Sequence, residues 1–365
     1  MAFAFAREIT SEVGAWMLKQ FMKSVFILTI FLGQSLAEER PLVIRFSTQA
    51  PSDAEYFQSM LHFKQHVAAE SNDKIRIDLS DSGKLYDSDK IAAAVSSGKV
   101  EIGMVNLTRY GQTIPVADAF SLPFMFSDKL VEIASRAPNS EIRHLIDEAI
   151  LKRSGVRVLW WIPEGSFVLL AKGISVARPE ALAGKTVRSS GPTSAATLRL
   201  CGGKPNEIPA TEQPKAYESG GVEVGMTSIT AVMARKLFRF MNTITLTNQA
   251  VLNDVVVVNE SYWQSLSESQ RTILKSAALI ADKEAADSMV NFEDHAYKQL
   301  VEREGVKVVT LSQDELLLWR ICSGDLLSGF IERAGVDGHR LMAAYANLLQ
   351  DPCCNHPKTT SSAPR

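Results

Sequence analysis

The sequence lacks the features that would name an enzyme. It has no phosphate-binding loop, no nucleophile elbow and no His-Glu-x-x-His pair. Gly220-Gly221 does not have the spacing of a dinucleotide fingerprint. The six histidines are scattered, and His62 and His66, four apart on a helix, have no third ligand indicated, so no metal site is expected. A dominant charge sign is missing too. The formal net charge of the 365 residues is -2, which leaves no broad electrostatic case for nucleic acid. No run of like charges suggests a membrane-surface patch, and there is no internal repeat or low-complexity segment.

What is present fits a soluble globular protein with real cores: 46% hydrophobic and 22% charged residues in a chain long enough for two ordinary domains. The N-terminus differs in character. Lys19 and Lys23 precede the apolar run Val25–Leu32, and Ser35-Leu36-Ala37 follows as a small-residue site. Positive, apolar, cleavable is the order of a secretory signal, and the run is too short to span a bilayer. Residues 1–37 are therefore expected to be a signal peptide cleaved after Ala37, with Met22 the natural start and Met17 the second choice. No Cys follows the run, which argues against a lipoprotein anchor. An exported location permits disulfides. Of the four cysteines, Cys201 and Cys322 could bridge, but two free thiols is the preferred reading; Cys353 and Cys354 lie near a polar tail, 351–365, expected to be disordered.

The mature chain alternates elements. Leu42–Thr48, Lys74–Ser80 and Val100–Val105 read as strands. Helices between them are expected from Asp53, as cap, to about Glu70, and over Asp89–Ser97. This is the pattern of an open α/β sheet, whose ligands bind outside the carboxyl ends of strands. Helices at about 128–134 and 140–153 follow. Val156–Ile162 and Phe167–Ala171 read as two more strands. Trp160 and Trp161 are neighbours, so only one of them can face a given cleft. Thr211 is expected to cap a short helix through Ser219, and Val255–Val258 is a run typical of a strand covered on both faces. Ser267 with Gln270 makes a capping box, and the helical pattern runs on to Gly305. One helix of that length would span roughly 55 Å and could bridge two domains; a kinked pair is the other reading. A second capping box, Ser312 with Glu315, opens a helix to about Ala334, and a last helix covers about 337–349.

The stretch Gly184–Gly191 is the organising element. Arg188 leaves the end of a short strand, and Gly191-Pro192 starts a helix that stops at Gly202-Gly203. A bidentate guanidinium beside free N–H groups at a helix N-terminus suits a carboxylate or phosphate.

Several segments, in order, resemble the solute-binding proteins of tripartite ATP-independent periplasmic (TRAP) transporters. They are Ser82–Asp87 with Val95–Gly103, the run Leu122-Pro123-Phe124-Met125-Phe126, then Leu182–Arg188, Pro209 with Glu212 and Gly220–Glu223, and Trp263, Leu266 and Gln270. The resemblance covers about Leu42 to Tyr345. It implies a two-lobe α/β periplasmic binding protein fold with a long helix bridging both lobes, and Arg188 as the carboxylate-binding Arg. Lobe I would comprise 38–165 plus 254–293, and lobe II 166–253 plus 294–350. Two positions depart from the family pattern. Val168 stands where many members, notably sialic-acid binders, have a second Arg, and Thr227 stands where the family has Asn.

The expected function is an exported, periplasmic receptor that captures a small organic anion, a mono- or dicarboxylate, by lobe closure and delivers it to a membrane permease, with no cofactor and no catalytic residues. The candidate ligand residues are Arg188, Thr227, Asn106, Trp161, Glu164, Asn248 and Gln49. Turn hydrogen bonding is the plainer role for the Asn residues, and core packing for Trp161. Two rivals remain: the binding protein of an ATP-driven importer or sensor kinase, and an exported enzyme with Glu164 as its base.

Overall fold

A computed structural model describes residues 40–351. The expected signal peptide and the pair Cys353 and Cys354 lie outside the described residues. Ten strands form one continuous network: β1 (Leu42–Ser47), β2 (Ile75–Ser80), β3 (Ile102–Asn106), β4 (Val156–Ala171), β5 (Thr186–Ser189), β6 (Lys204–Glu207), β7 (Val224–Ser228), β8 (Thr243–Leu246), β9 (Val251–Asn259) and β10 (Lys307–Thr310). Their order is β2-β1-β3-β9-β4-β7-β5-β6, with β8 joining β4 to β10. The β1–β3 pair and the β5, β6 and β7 ladders are parallel, as α/β units require, while β4 and β9 run antiparallel to their neighbours.

β4 corrects the sequence reading. Two strands were expected across 156–171, and one strand of 16 residues is found. Pro163 and Gly165 do not end it, because the register against β9 shifts at Val158/Trp160 and again at Pro163/Gly165. Such bulges absorb a residue that cannot join the ladder and let the strand bend onward. Thus β4 pairs with β9 over its first part and with β7 and β8 over its last. Separate apolar clusters lie along its length. One gathers Phe120, Phe126, Ile146 and Trp161; another holds Phe167, Val187, Leu198 and Trp319; a third holds Val168, Tyr217, Val232 and Leu300.

The Arg188 unit forms as read, with β5 followed by the helix Pro192–Leu200. Both capping boxes form, Ser267 with Gln270 and Ser312 with Glu315. Other local expectations fail. The first helix is Phe57–Glu70 with Tyr56 at its N-cap, not Asp53. Thr211 does not cap; its hydroxyl is buried without a partner inside a 3-10 turn, Ala210–Glu212. The helical stretch from Ser267 takes the second of its two readings, a pair, Glu268–Ser288 and Phe292–Glu304, broken at 289–291. The helix expected to reach Ala334 is also two, Gln313–Cys322 and Leu326–Ala334.

Cys201 and Cys322 form a disulfide, against the preference for free thiols. It ties the end of the helix Pro192–Leu200 to the last residue of Gln313–Cys322, with Cα atoms 5.1 Å apart. A separation of 121 residues hid a proximity that only the fold creates. Among the described residues no helix is long and apolar enough to cross a membrane.

Candidate functional site

Strand ends converge on one small cavity. β1 leads to Gln49, β3 ends at Asn106 with Arg109 one turn on, β5 delivers Arg188 and Ser190, and β7 delivers Thr227. Glu164 and Leu252 come from the two crossing strands, and Gln213 and Arg235 complete the lining with Ala210. Its volume is ≈ 20 Å³, room for about one water molecule. A roomier surface groove, ≈ 350 Å³, lies beside the helices Glu141–Ser154 and Val336–Leu348. Among the described residues its ionisable lining groups are Glu141 and Asp351, both acidic.

Arg188 is the centre of the cavity's chemistry. It is 2% exposed. Its Nε donates to the carbonyl of Ile208 at 3.1 Å and its Nη1 to the carbonyl of Met226 at 2.8 Å. Two carbonyls fix the plane of the guanidinium without neutralising it. Among the described residues no carboxylate forms an ion pair with it. Burial pushes its pKa down to about 10, and the like charges of Arg109 and Arg235 add to the effect. A guanidinium still protonated at neutral pH, dry and unpaired, is a strong anion site.

The surrounding charges differ in kind. Arg109 is already committed, donating to Glu207 at 2.7 Å. Arg235 is half-buried, and its Nη2 is shut from solvent without a hydrogen-bond partner. Glu164 is 3% exposed; its Oε2 accepts from Ser228 at 3.0 Å, and its Oε1 has no partner. Asp254 stands beside Glu164, fully buried, with neither oxygen in a well-formed hydrogen bond. Burial, reinforced by the charge of Glu164, holds the Asp254 carboxyl well above the usual carboxylate range.

Five of the seven residues expected from the sequence therefore line one cavity: Arg188, Thr227, Asn106, Glu164 and Gln49. Asn106 also takes the plainer role foreseen for it, since its Oδ1 accepts from the N–H and hydroxyl of Thr108. Trp161 and Asn248 are not in the lining. Trp161 packs on Phe120 in the core, and its Nε1 donates to Asp147 at 2.9 Å. Trp160 points the other way, against Phe46 and Phe63, so neither ring reaches the cavity. Asn248 is an exposed turn residue with φ 42°, in the left-handed region that Asn tolerates. Of the other lining residues, Arg109, Ser190, Gln213 and Arg235 were missed.

The helix N-terminus after Arg188, expected from the sequence to have free N–H groups, is not free. The N–H groups of Ser190 and Gly191 donate to Ser194 Oγ, each at 3.1 Å. The N–H of Thr193 donates to Asp118 at 2.9 Å. Two more hydrogen bonds join cavity-lining residues to their neighbours: Thr108 Oγ1 to the Ser190 carbonyl at 2.6 Å, and the Ala210 N–H to Ser88 Oγ at 3.0 Å.

Comparison with known proteins gives a consistent result. The profile described as "Bacterial extracellular solute-binding protein, family 7" matches residues 46–332. The C4-dicarboxylate-binding periplasmic protein DctP of Shewanella loihica is 22% identical over 88% of this chain and 94% of its own. Among solved structures, an extracytoplasmic solute receptor of Bordetella pertussis that binds pyroglutamic acid superposes with a TM-score of 0.78 at 20% identity, covering 83% of this chain and 99% of its own. A TRAP periplasmic solute-binding protein of Sulfurospirillum deleyianum with bound succinate gives 0.77 at 19% identity, covering 84% and 98%. Both share the two-lobe α/β fold with this chain.

Proposed function

The chain belongs to family 7 of the bacterial extracellular solute-binding proteins, and from that premise we propose that it is the periplasmic receptor of a TRAP transporter, taking a small organic acid into the Arg188 cavity. The observation that carries this reading is Arg188 itself: buried, held flat by two carbonyls and without a carboxylate partner. A ligand carboxylate supplies the missing charge in bidentate geometry. The relatives' ligands, pyroglutamic acid and succinate, are small carboxylic acids and support the same class.

The cavity is narrow as it stands, and we propose that its walls part for loading. Of the lining residues, we group Gln49, Asn106 and Arg109 as one wall and Arg188, Ser190, Gln213 and Thr227 as the other, by their place in the sequence. We assign the first wall to lobe I, 38–165 plus 254–293, and the second to lobe II, 166–253 plus 294–350. A ligand that touches both walls favours the closed state by its extra contacts there. Delivery then follows from recognition of the closed form by the permease. The signal sequence read in residues 1–37 and the extracellular family support a periplasmic location. The family match favours a TRAP permease over an ATP-driven importer or a sensor as the partner. The family and these relatives are solute-binding receptors, and we assign this chain no catalytic role.

A thermal-shift screen of residues 38–365 against organic acids tests the reading. A true ligand at a thousandfold excess over Kd stabilises by roughly 4 kcal/mol. Arg188→Ala abolishes that shift. An acid that shifts both proteins equally removes Arg188 from the site.

A further inference from the structure

Bringing the two walls together also brings two like charges together. Arg109, grouped with Asn106, and Arg188, grouped with Thr227, line the same space of ≈ 20 Å³. Burial lowers the Arg188 pKa and the charge of Arg109 adds to it, so the two guanidinium groups feel each other. Their repulsion opposes any approach of the walls. Glu207 offsets it. It ends β6, which runs parallel beside β5 and sets Glu207 level with Ser189, the residue after Arg188. Its Oε1 accepts from Arg109 Nη1 at 2.7 Å. The side chains are 12% exposed for Arg109 and 41% for Glu207, so the pair is shielded on one side only. Glu207 is not among the residues that line the cavity, so it acts on the walls and not on what they hold.

Neutral contacts join the same two stretches of chain. Thr108 Oγ1 donates to the Ser190 carbonyl and the Ala210 N–H to Ser88 Oγ, and a Cβ built on Gly83 would meet Thr211 Cγ2 at 3.2 Å. A second ion pair, Lys236 with Asp53 at 3.8 Å, has side chains 52% and 68% exposed and contributes less. We propose that the Arg109–Glu207 ion pair is a latch across the Arg188 cleft: Glu207 turns the approach of two arginines from repulsive to attractive, favours the closed state and lengthens the stay of a bound ligand. Glu207 is a positioning residue, acting through Arg109. This inference rests on the reading that the walls part for loading. It fixes the sign of the salt response. With Glu207 present, salt weakens an attraction and opens the cleft; without it, salt relieves a repulsion and closes the cleft.

Pulsed electron paramagnetic resonance on the ligand-free protein tests it, with nitroxides at Lys99 and Lys215, exposed residues of the two stretches, in a Cys353→Ser/Cys354→Ser background. Glu207→Gln raises the ratio of long to short distances by roughly two- to fivefold, the range for a partly exposed pair. Raising salt from about 0.01 M to about 1 M shortens the Debye length from roughly 30 Å to roughly 3 Å. The wild type then gains long distances, and Glu207→Gln loses them. Gly191→Ala is the reference, because its added Cβ would meet the Thr108 Cβ at 2.6 Å and widens the cleft. The comparison is repeated in that background, where both distances are populated. If Gly191→Ala lengthens the distance but Glu207→Gln changes nothing in either background, or if both proteins answer salt with the same sign, the latch is overturned and the parting of the walls stands. If one distance persists in every protein at every salt concentration, the walls do not part, and that reading falls together with this inference.

Discussion

The backbone N–H of Thr193 donates to the carboxylate of Asp118 at 2.9 Å. Thr193 lies in the first turn of the helix that follows Arg188, so an internal carboxylate fills the anion-binding helix end that the sequence had offered to a ligand. The ligand's carboxylate is left to Arg188. The side chains of Ser121 and Thr193 also hydrogen-bond the Asp118 carboxyl, which is fully buried.

Stability should therefore fall as pH rises from about 4 to about 7. Burial pushes Asp118 up to about 6 and Asp147 up to about 7. An acid with a raised folded pKa binds protons more tightly folded than unfolded, so it favours the folded state at low pH and loses that advantage as pH passes through the window. Asp118→Asn keeps an acceptor for the Thr193 N–H and removes the buried charge. Its melting temperature should exceed that of the wild type at pH 7 and match it near pH 4; the difference is at most about 3 kcal/mol at 1.36 kcal/mol per pKa unit. Equal melting curves at both pH values would show that Asp118 is not the group concerned.

Gly191→Ala should weaken ligand binding without unfolding the protein. Its φ of 178° is extended backbone open to any residue, so conformation does not require glycine there. Space does: an added Cβ would meet the Thr108 Cβ at 2.6 Å, next to the lining residue Ser190. The substitution pushes apart the two walls joined by the Thr108–Ser190 hydrogen bond. A tenfold or greater loss in affinity, or roughly 1.4 kcal/mol, with a melting temperature near that of the wild type without ligand, is the expected titration result. Unchanged affinity would mean that the walls need not meet there.

Reduction of the Cys201–Cys322 disulfide, or Cys322→Ser, should cost roughly 2–5 kcal/mol of stability. Neither cysteine lines the cavity, so affinity for the ligand should be unchanged. Denaturant unfolding with and without reductant, paired with titration, checks both halves of the prediction.

Trp161→Phe should leave ligand affinity unchanged and lower stability by roughly 1–3 kcal/mol, because Asp147 loses a buried hydrogen-bond donor. A loss of affinity with no loss of stability would return Trp161 to the site.

How legible these features were in the sequence depended on how local their causes are. The Arg188 unit was legible because its strand and helix are bounded by neighbours in sequence, Gly191-Pro192 at one end and Gly202-Gly203 at the other. Strand ends pointed to Gln49 and Asn106 for the same reason, while Thr227 came from the family resemblance. Trp161 was misplaced because the face of a strand residue depends on register, and the β4 ladder shifts at Val158/Trp160. Arg235 had no local signal; it looked like any charged residue late in a helix. Asp254 did have one: an acid heading the fully buried run Val255–Val258 must find a partner or a proton. The 121-residue span to Cys322 and the break at 289–291 are decided by packing that the sequence does not show locally.

The most direct test of the central claim is calorimetric titration of a stabilising organic acid into the wild-type protein and into Arg188→Ala. The account predicts one site per chain in the wild type, and in Arg188→Ala a loss of at least about a hundredfold in affinity, since a buried carboxylate would be left without its charged partner. Wild-type affinity retained by Arg188→Ala would contradict it.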